Sequence, residues 1–327
     1  MPTKAMTAAL IVVQLVASDL WAANHDSAAT KFDGVAVGDT LYYTELDASS
    51  SPAAYKLYER TGNGAPRVVA LSGDASTQVG GKVIAFPGAN RLLWTSPRSS
   101  APDRLGSNCL IAFNPTDKTA KVLVDNKRYN TDPAVSPDGK FIAFFSTPRE
   151  MQSDKWKPGA GYALHIVDTA SGVERELVGK GTVPAVACPP AWSPDVQWIA
   201  FVATLPPHGQ GLYIVKSDGT MLRRLAQESK STCDCVVWPQ SNRLVVTTED
   251  GPGLYEIDFA NDTMRLAKEG MYTAPLSLSP DRRYLRATFL EGPTHEMKQH
   301  VLALPELKLT SETQMLLRGA WRQETRK

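Results

Sequence analysis

The sequence predicts an all-β protein, a six-bladed β-propeller of four-stranded antiparallel blades. Three observations lead there. A Ser-Pro-Asp turn recurs at Ser136-Pro137-Asp138, Ser193-Pro194-Asp195 and Ser279-Pro280-Asp281. Each turn is followed by an apolar run of strand length and then by a second strand signal, at Ala163–Asp168, Leu212–Val215 and His300–Leu304. Weaker copies of the pattern start at Val35, Val83 and Cys233. Aligned on the proline position, the six copies fall at 37, 87, 137, 194, 239 and 280, at intervals of 50, 50, 57, 45 and 41 residues. Four strand signals in a repeat of roughly 40–50 residues is the spacing of propeller blades.

Each element has a local cause. Proline sets φ at the second turn position, and aspartate bonds the backbone beyond it. Trp198–Val202 is apolar throughout, which is the pattern of a strand covered on both faces. Ser217-Asp218-Gly219 closes the next hairpin, with glycine supplying a positive φ. Such a unit cannot bury both faces alone and needs neighbours of its own kind. The copies predict blades near 32–73, 78–126, 129–179, 183–228, 232–269 and 271–318, in one propeller domain spanning 24–327.

The stretch Ser136-Pro-Asp-Gly-Lys-Phe-Ile-Ala-Phe144, with Leu212-Tyr-Ile-Val-Lys-Ser-Asp-Gly-Thr220 and Arg223-Arg-Leu225, resembles the repeat of TolB-type propellers. Related repeats occur in the propeller domains of prolyl-oligopeptidase-like enzymes. The resemblance is full in blades three, four and six, partial in blade five, and limited to strand pattern in blades one and two. It implies the propeller fold and contact with envelope proteins. TolB proteins carry an N-terminal α/β domain before the propeller, and none is expected in this chain. One propeller hosts many activities, so the resemblance speaks to fold more than to function.

Composition narrows the partners. The 35 basic and 34 acidic residues leave a net charge of +1, with no basic field to draw in nucleic acid or an anionic membrane. Residues 1–23 read as a secretory signal peptide: Lys4, an apolar run from Ala8 to Ala17, and small residues at Ala22-Ala23. No later apolar run reaches the length of a membrane span. The expectation is a periplasmic or secreted monomer with no cofactor.

Export permits disulfides among the four cysteines. Cys188 and Cys233 each lie six residues before the anchor proline of adjacent blades, so a Cys188–Cys233 bridge is expected. Cys235 competes, and spacing does not choose among the pairings. A zinc site on Cys188, Cys233 and Cys235 is disfavoured, because Cys-x-Cys is weak ligand spacing and no histidine is near in sequence.

Strands run A to D from the axis outward. A–B and C–D turns are short and share one face, while the longer B–C loops collect on the other, where loop-borne function is expected. The blade-three loop carries Arg149, Glu150, Lys155 and Trp156, and the neighbouring blade-two loop carries Arg98 and Arg104. Arginine and tryptophan dominate interface energetics, so these six form the expected partner-binding patch.

Catalytic motifs are missing. There is no Gly-x-Ser-x-Gly elbow. His295-Glu-Met-Lys-Gln-His300 is one residue too long for a zincin motif and is expected in a B–C loop, so no metal site is predicted. His165 is expected to pack inside strand C. The alternative is a propeller enzyme of hydrolase, lyase or cyclase type, which would gather carboxylates from several blades at the tunnel mouth, where Asp132 and Glu150 are candidates. Asp132 is otherwise a loop cap, and Asp138, Asp195 and Asp281 are structural.

Overall fold

The computed structural model describes residues 35–37, 40–47, 54–62, 64–73, 83–87, 90–97, 108–147, 161–181, 188–226, 232–248, 253–279, 281–292 and 296–314. Every regular element among them is a β-strand, and six sheets form a six-bladed propeller. Blade one comprises β1 (Val35–Val37), β2 (Thr40–Asp47), β3 (Ala54–Thr61) and β4 (Arg67–Val68). The two-residue strand β5 (Ser72–Gly73) leaves blade one and pairs in parallel with β9 (Thr119–Val124), the outer strand of blade two. The rest of blade two is β6 (Ile84–Ala85), β7 (Leu92–Pro97) and β8 (Asn108–Asn114). Blade three is β10 (Tyr129–Val135), β11 (Phe141–Thr147), β12 (Tyr162–Asp168) and β13 (Glu174–Gly181). Blade four is β14 (Ala191–Trp192), β15 (Trp198–Leu205), β16 (Gly209–Lys216) and β17 (Arg223–Leu225). Blade five is β18 (Cys233–Gln240), β19 (Arg243–Thr248), β20 (Gly253–Asp258) and β21 (Thr263–Glu269). Blade six is β22 (Tyr272–Leu278), β23 (Tyr284–Glu291), β24 (Glu296–Ala303) and β25 (Lys308–Gln314).

The apolar runs do what their pattern requires. The middle strands β8, β11, β12, β15 and β16 are buried along nearly their whole length, because a neighbouring blade covers each face. Outer strands such as β21 keep one side in solvent. The core therefore lies between blades. Phe145, Ile166, Ile199 and Tyr213 join blades three and four, and Val202, Val237, Leu276 and Leu302 join blades four to six. Full burial of one such side chain contributes about 1.5–3 kcal/mol. Trp192 adds a polar tie, its indole N–H donating to the Ala134 carbonyl of blade three at 2.9 Å.

The three Ser-Pro-Asp turns share one hydrogen-bond pattern. The Ser136 hydroxyl donates to Asp138 at 2.6 Å, and the Phe141 amide donates back to the Ser136 hydroxyl at 2.9 Å. Ser193, Asp195 and Trp198 repeat this at 2.6 and 2.9 Å, and Ser279, Asp281 and Tyr284 at 2.5 and 3.0 Å. The next residue takes a positive φ in each turn, +71° at Gly139, +63° at Val196 and +54° at Arg282. These aspartates are committed to turn geometry, as are the C–D turn aspartates Asp168, Asp218 and Asp258, each accepting from backbone amides two or three residues on.

Candidate binding site at the loop face

The connections are unequal. A–B and C–D turns are short hairpins throughout blades three to six. On the opposite face, β7 and β8 are separated by residues 98–107, and β11 and β12 by residues 148–161. Blade four instead turns within Pro206–His208. The long insertions thus belong to blades two and three and leave from one side of the ring. Arg98, Arg104, Arg149, Glu150, Lys155 and Trp156 all lie outside the described residues. What is described is the platform from which their loops rise.

That platform is polar and aromatic. Tyr129 begins β10 and Tyr162 begins β12, so both stand at the foot of the blade-three loop, their ring centroids 6.5 Å apart. Asn108, the first residue of β8, is a hydrogen-bond partner of Tyr129 from blade two. Burial, with the nearby charges of Tyr129 and Asp132, pushes the Tyr162 pKa up to about 12, so its hydroxyl acts as a neutral donor. Asp132 sits in a bulge of β10 between Thr131 and Ala134, with φ at +50° and its carboxylate 2.9 Å from the Thr131 hydroxyl. Aspartate tolerates the left-handed region better than most residues.

Beneath these groups runs a buried amide network. The Asn130 side chain donates to the Asn108 carbonyl at 2.7 Å and to Asn126 at 2.9 Å, and accepts from Ser146 at 2.8 Å. Asn126 donates to Glu174 at 3.0 Å, and Glu174 meets His165 Nδ1 at 2.8 Å. Burial opposes ionisation of Glu174, but hydrogen bonds from His165 and Asn126 outweigh it and hold the pKa below the usual carboxylate value. His165 is packed inside strand C against Phe144. The network locks blades two and three together where their long loops depart.

Blade five repeats the bulge. Asp234 lies five residues before Pro239, as Asp132 lies five before Pro137. The ladder slips at both positions. Asp234 is buried and accepts a hydrogen bond from the Thr247 hydroxyl. The two inner strands thus carry a carboxylate at the same register position. Blade six adds a chain of partners: Tyr272 to His300 Nδ1 at 3.0 Å, His300 Nε2 to Glu312 at 2.9 Å, and Glu312 to Lys298 at 2.7 Å. Burial, helped by the Glu312 charge, pushes the Tyr272 pKa up to about 12, so Tyr272 donates to Nδ1 and Nε2–H donates to Glu312.

Two sequence expectations are corrected. The blade-six strand expected from His300 starts earlier, at Glu296, so Glu296–Gln299 belong to β24 and not to a B–C loop; His295 is outside the described residues. Cys188 is bonded to Cys235, with a Cα–Cα separation of 5.3 Å, and Cys233 is a free buried thiol. The bulge at Asp234 explains the exchange. Cys233 pairs with Thr248 and Cys235 with Thr247, so the extra residue sends the two cysteines to opposite faces of the strand. Spacing alone implied one face for both. Burial and the adjacent Asp234 push the Cys233 pKa up to about 12, which leaves it an unreactive thiol. Among the described residues no group of three or more His, Cys, Asp or Glu side chains is placed to hold a metal ion. Sequence reasoning missed Asn108 and Tyr162, whose signal was their position at the ends of the two longest B–C loops, and Tyr129, which opens the inner strand of blade three.

No family model matches the sequence. A TolB homolog of Chlorobaculum tepidum is 33% identical over 106 residues, 32% of this chain. The matched stretch spans about a fifth of that relative's length, 21%. Among solved structures, TolB from Acinetobacter baumannii aligns with a TM-score of 0.51 at 13% identity, covering 83% of this chain and 68% of that one. Oligogalacturonate lyase from Vibrio parahaemolyticus aligns with a TM-score of 0.60 at 12% identity, covering 85% and 74%. The chain is a six-bladed β-propeller that is similar to TolB propellers, and structural likeness at these identities speaks to fold alone.

Proposed function

We propose that the protein is an exported, monomeric TolB-like propeller that binds a partner protein in the cell envelope through the face carrying its B–C loops. One observation carries this. The chain is economical on the A–B face and extravagant on the other, where blades two and three send out 98–107 and 148–161 from a buried, cross-braced base. A rigid platform under long loops that carry three arginines and a tryptophan is the usual build of a recognition surface. The Cys188–Cys235 bridge supports an oxidising compartment, in keeping with the apolar N-terminal segment.

The test is capture from an envelope extract by the tagged full chain. Wild type should retain a partner that Trp156→Ala with Arg149→Glu releases, while the distant surface change Lys140→Gln does not. Recovery of nothing by wild type, or equal recovery by the loop variant, removes this function.

A second reading is turnover of a small ligand at the tunnel mouth, favoured by Asp132 and Asp234 at one register position on two inner strands. It predicts that wild type, but not Asp132→Asn, converts some member of a panel that begins with oligogalacturonates. A panel left untouched by wild type counts against it.

A further inference from the structure

The inner strand of every blade has one edge bonded to its neighbour and one edge facing the tunnel, so alternate carbonyls of that strand have no ladder partner. In β14, Ala191 pairs with Ala200 and Trp192 with Ile199, while the Ser193 amide donates to the Trp198 carbonyl. The Trp192 carbonyl therefore points away from the sheet and into the tunnel. Arg282 meets it there. One guanidinium nitrogen of Arg282 donates to the Trp238 carbonyl of blade five at 3.0 Å, and another to the Trp192 carbonyl of blade four at 3.4 Å. Blades four and six are not adjacent, so the side chain must reach across the tunnel at its A–B end.

Nothing in the turn demands an arginine. The same turn position holds Gly139 in blade three and Val196 in blade four, and its positive φ disfavours any side chain. Guanidinium has five donors, of which the two carbonyls engage two. Carbonyls carry no net charge, and among the described residues no carboxylate acts on this cation; burial alone lowers its pKa. A half-buried positive charge that no described carboxylate offsets gains from an anion more than an exposed arginine does. The planar fork suits a two-oxygen partner.

We propose that Arg282 is the anion-binding floor of the central tunnel, taking the carboxylate or phosphate group of a small ligand. The site lies at the opposite end of the tunnel from the loop face, so it stands or falls independently of partner capture there. The carbonyls of Trp192 and Trp238 fix the plane of the guanidinium, and its remaining N–H groups are left for the ligand.

The experiment is thermal unfolding of the full chain in sodium acetate, sodium phosphate or sodium chloride at matched ionic strength. Wild type should show a saturable rise in Tm with acetate or phosphate, beyond the chloride control, and whichever gives it identifies the oxyanion. Arg282→Gln should lose that rise, or weaken the apparent affinity by at least about tenfold. Arg283→Gln, an exposed neighbour on the same turn, should keep it. Arg282→Lys retains the charge without the fork and should bind in reduced measure, which keeps the test available if the glutamine variant does not fold. No saturable rise in wild type overturns the site, and so does an equal rise in a folded Arg282 variant.

Discussion

His165 and His300 occupy the same register position on the third strands of blades three and six, opposite Phe144 and Ala287, and each faces a glutamate of the outer strand, Glu176 and Glu312. Blades three and six stand across the ring from one another. In the other copies the position holds Tyr58, Ile111, Tyr213 and Tyr255. Three of these four copies place an aromatic ring there, and imidazole takes the same place while adding two polar atoms that must be satisfied.

The blade-six ring makes stability depend on pH. Burial lowers the His300 pKa from its ordinary 6.5, although Glu312 pulls the other way and Lys268 and Lys298 reinforce the lowering. The unfolded chain then takes up this proton before the folded chain does. The contribution of His300 is complete above about pH 6.5 and is lost as pH falls toward its folded value. Glu312, held below its ordinary 4.5 chiefly by Lys298 and then by His300, adds a second loss at lower pH. Denaturant unfolding between pH 7.5 and 4 should show falling stability in wild type. His300→Phe keeps the stack on Phe289, whose ring centroid is 4.4 Å away. It should cost about 1–3 kcal/mol at pH 7.5 by stranding Tyr272 and Glu312, and lose the step near pH 6. An unchanged step in the variant would assign it elsewhere.

The disulfide gives a chemical count. Denatured but unreduced protein should present two free thiols, Cys109 and Cys233, and a non-reducing peptide map should link Cys188 to Cys235. Cys235→Ser should destabilise by about 2–4 kcal/mol. A Cys188–Cys233 peptide in the map would contradict the register of β18.

How far the sequence could be read depended on whether its signals were local. The Ser-Pro-Asp turns announce themselves because proline, serine and aspartate act within five residues, as the shared Ser136, Ser193 and Ser279 hydrogen bonds show. The apolar runs likewise give their burial directly. The bulges at Asp132 and Asp234 could not be read, since a slip is defined against the partner strand. That one hidden residue misassigned the cysteine pair. The Tyr129–Tyr162 platform was hidden for the same reason, because it joins residues more than thirty apart in sequence. Glu296–Gln299 seemed to lie in a loop because the stretch is polar, yet that polarity belongs to the exposed start of a strand.

Glu256 tests the cost of a buried charge. Its carboxylate has a side-chain exposure of 8% and pairs with Arg243 at 17% and Arg265 at 75%. Arg243→Met removes the enclosed partner and should cost about 3–5 kcal/mol, because a buried carboxylate is left poorly compensated. Arg265→Met removes a partner that water largely replaces, and should cost well under about 1 kcal/mol. Equal effects in chemical denaturation would mean that Glu256 is better solvated than its position implies.

Gly139 tests the turn itself. A Cβ there would meet nothing closer than the Pro87 carbonyl at 3.5 Å, an ordinary contact, so space is not the obstacle. Its φ of +71° is. Gly139→Val should therefore destabilise by about 1–2 kcal/mol through backbone strain alone. Val196→Gly in the sister turn should cost little, since relief of the same strain offsets the loss of its packing against blades three and four.

Asp132 separates building from binding. Its φ of +50° is one that glycine adopts freely. If the residue served only the bulge, glycine would do as well, and Asp132→Gly would leave both stability and function intact. The carboxylate instead faces Thr131 and acts on Tyr129 and Tyr162 at the foot of the blade-three loop. Asp132→Gly should keep the wild-type Tm within a few degrees, because relieved strain offsets the lost hydrogen bond, yet weaken partner capture or ligand turnover at the loop face. A stable variant with undiminished function would return Asp132 to the turn and leave the loops alone to act.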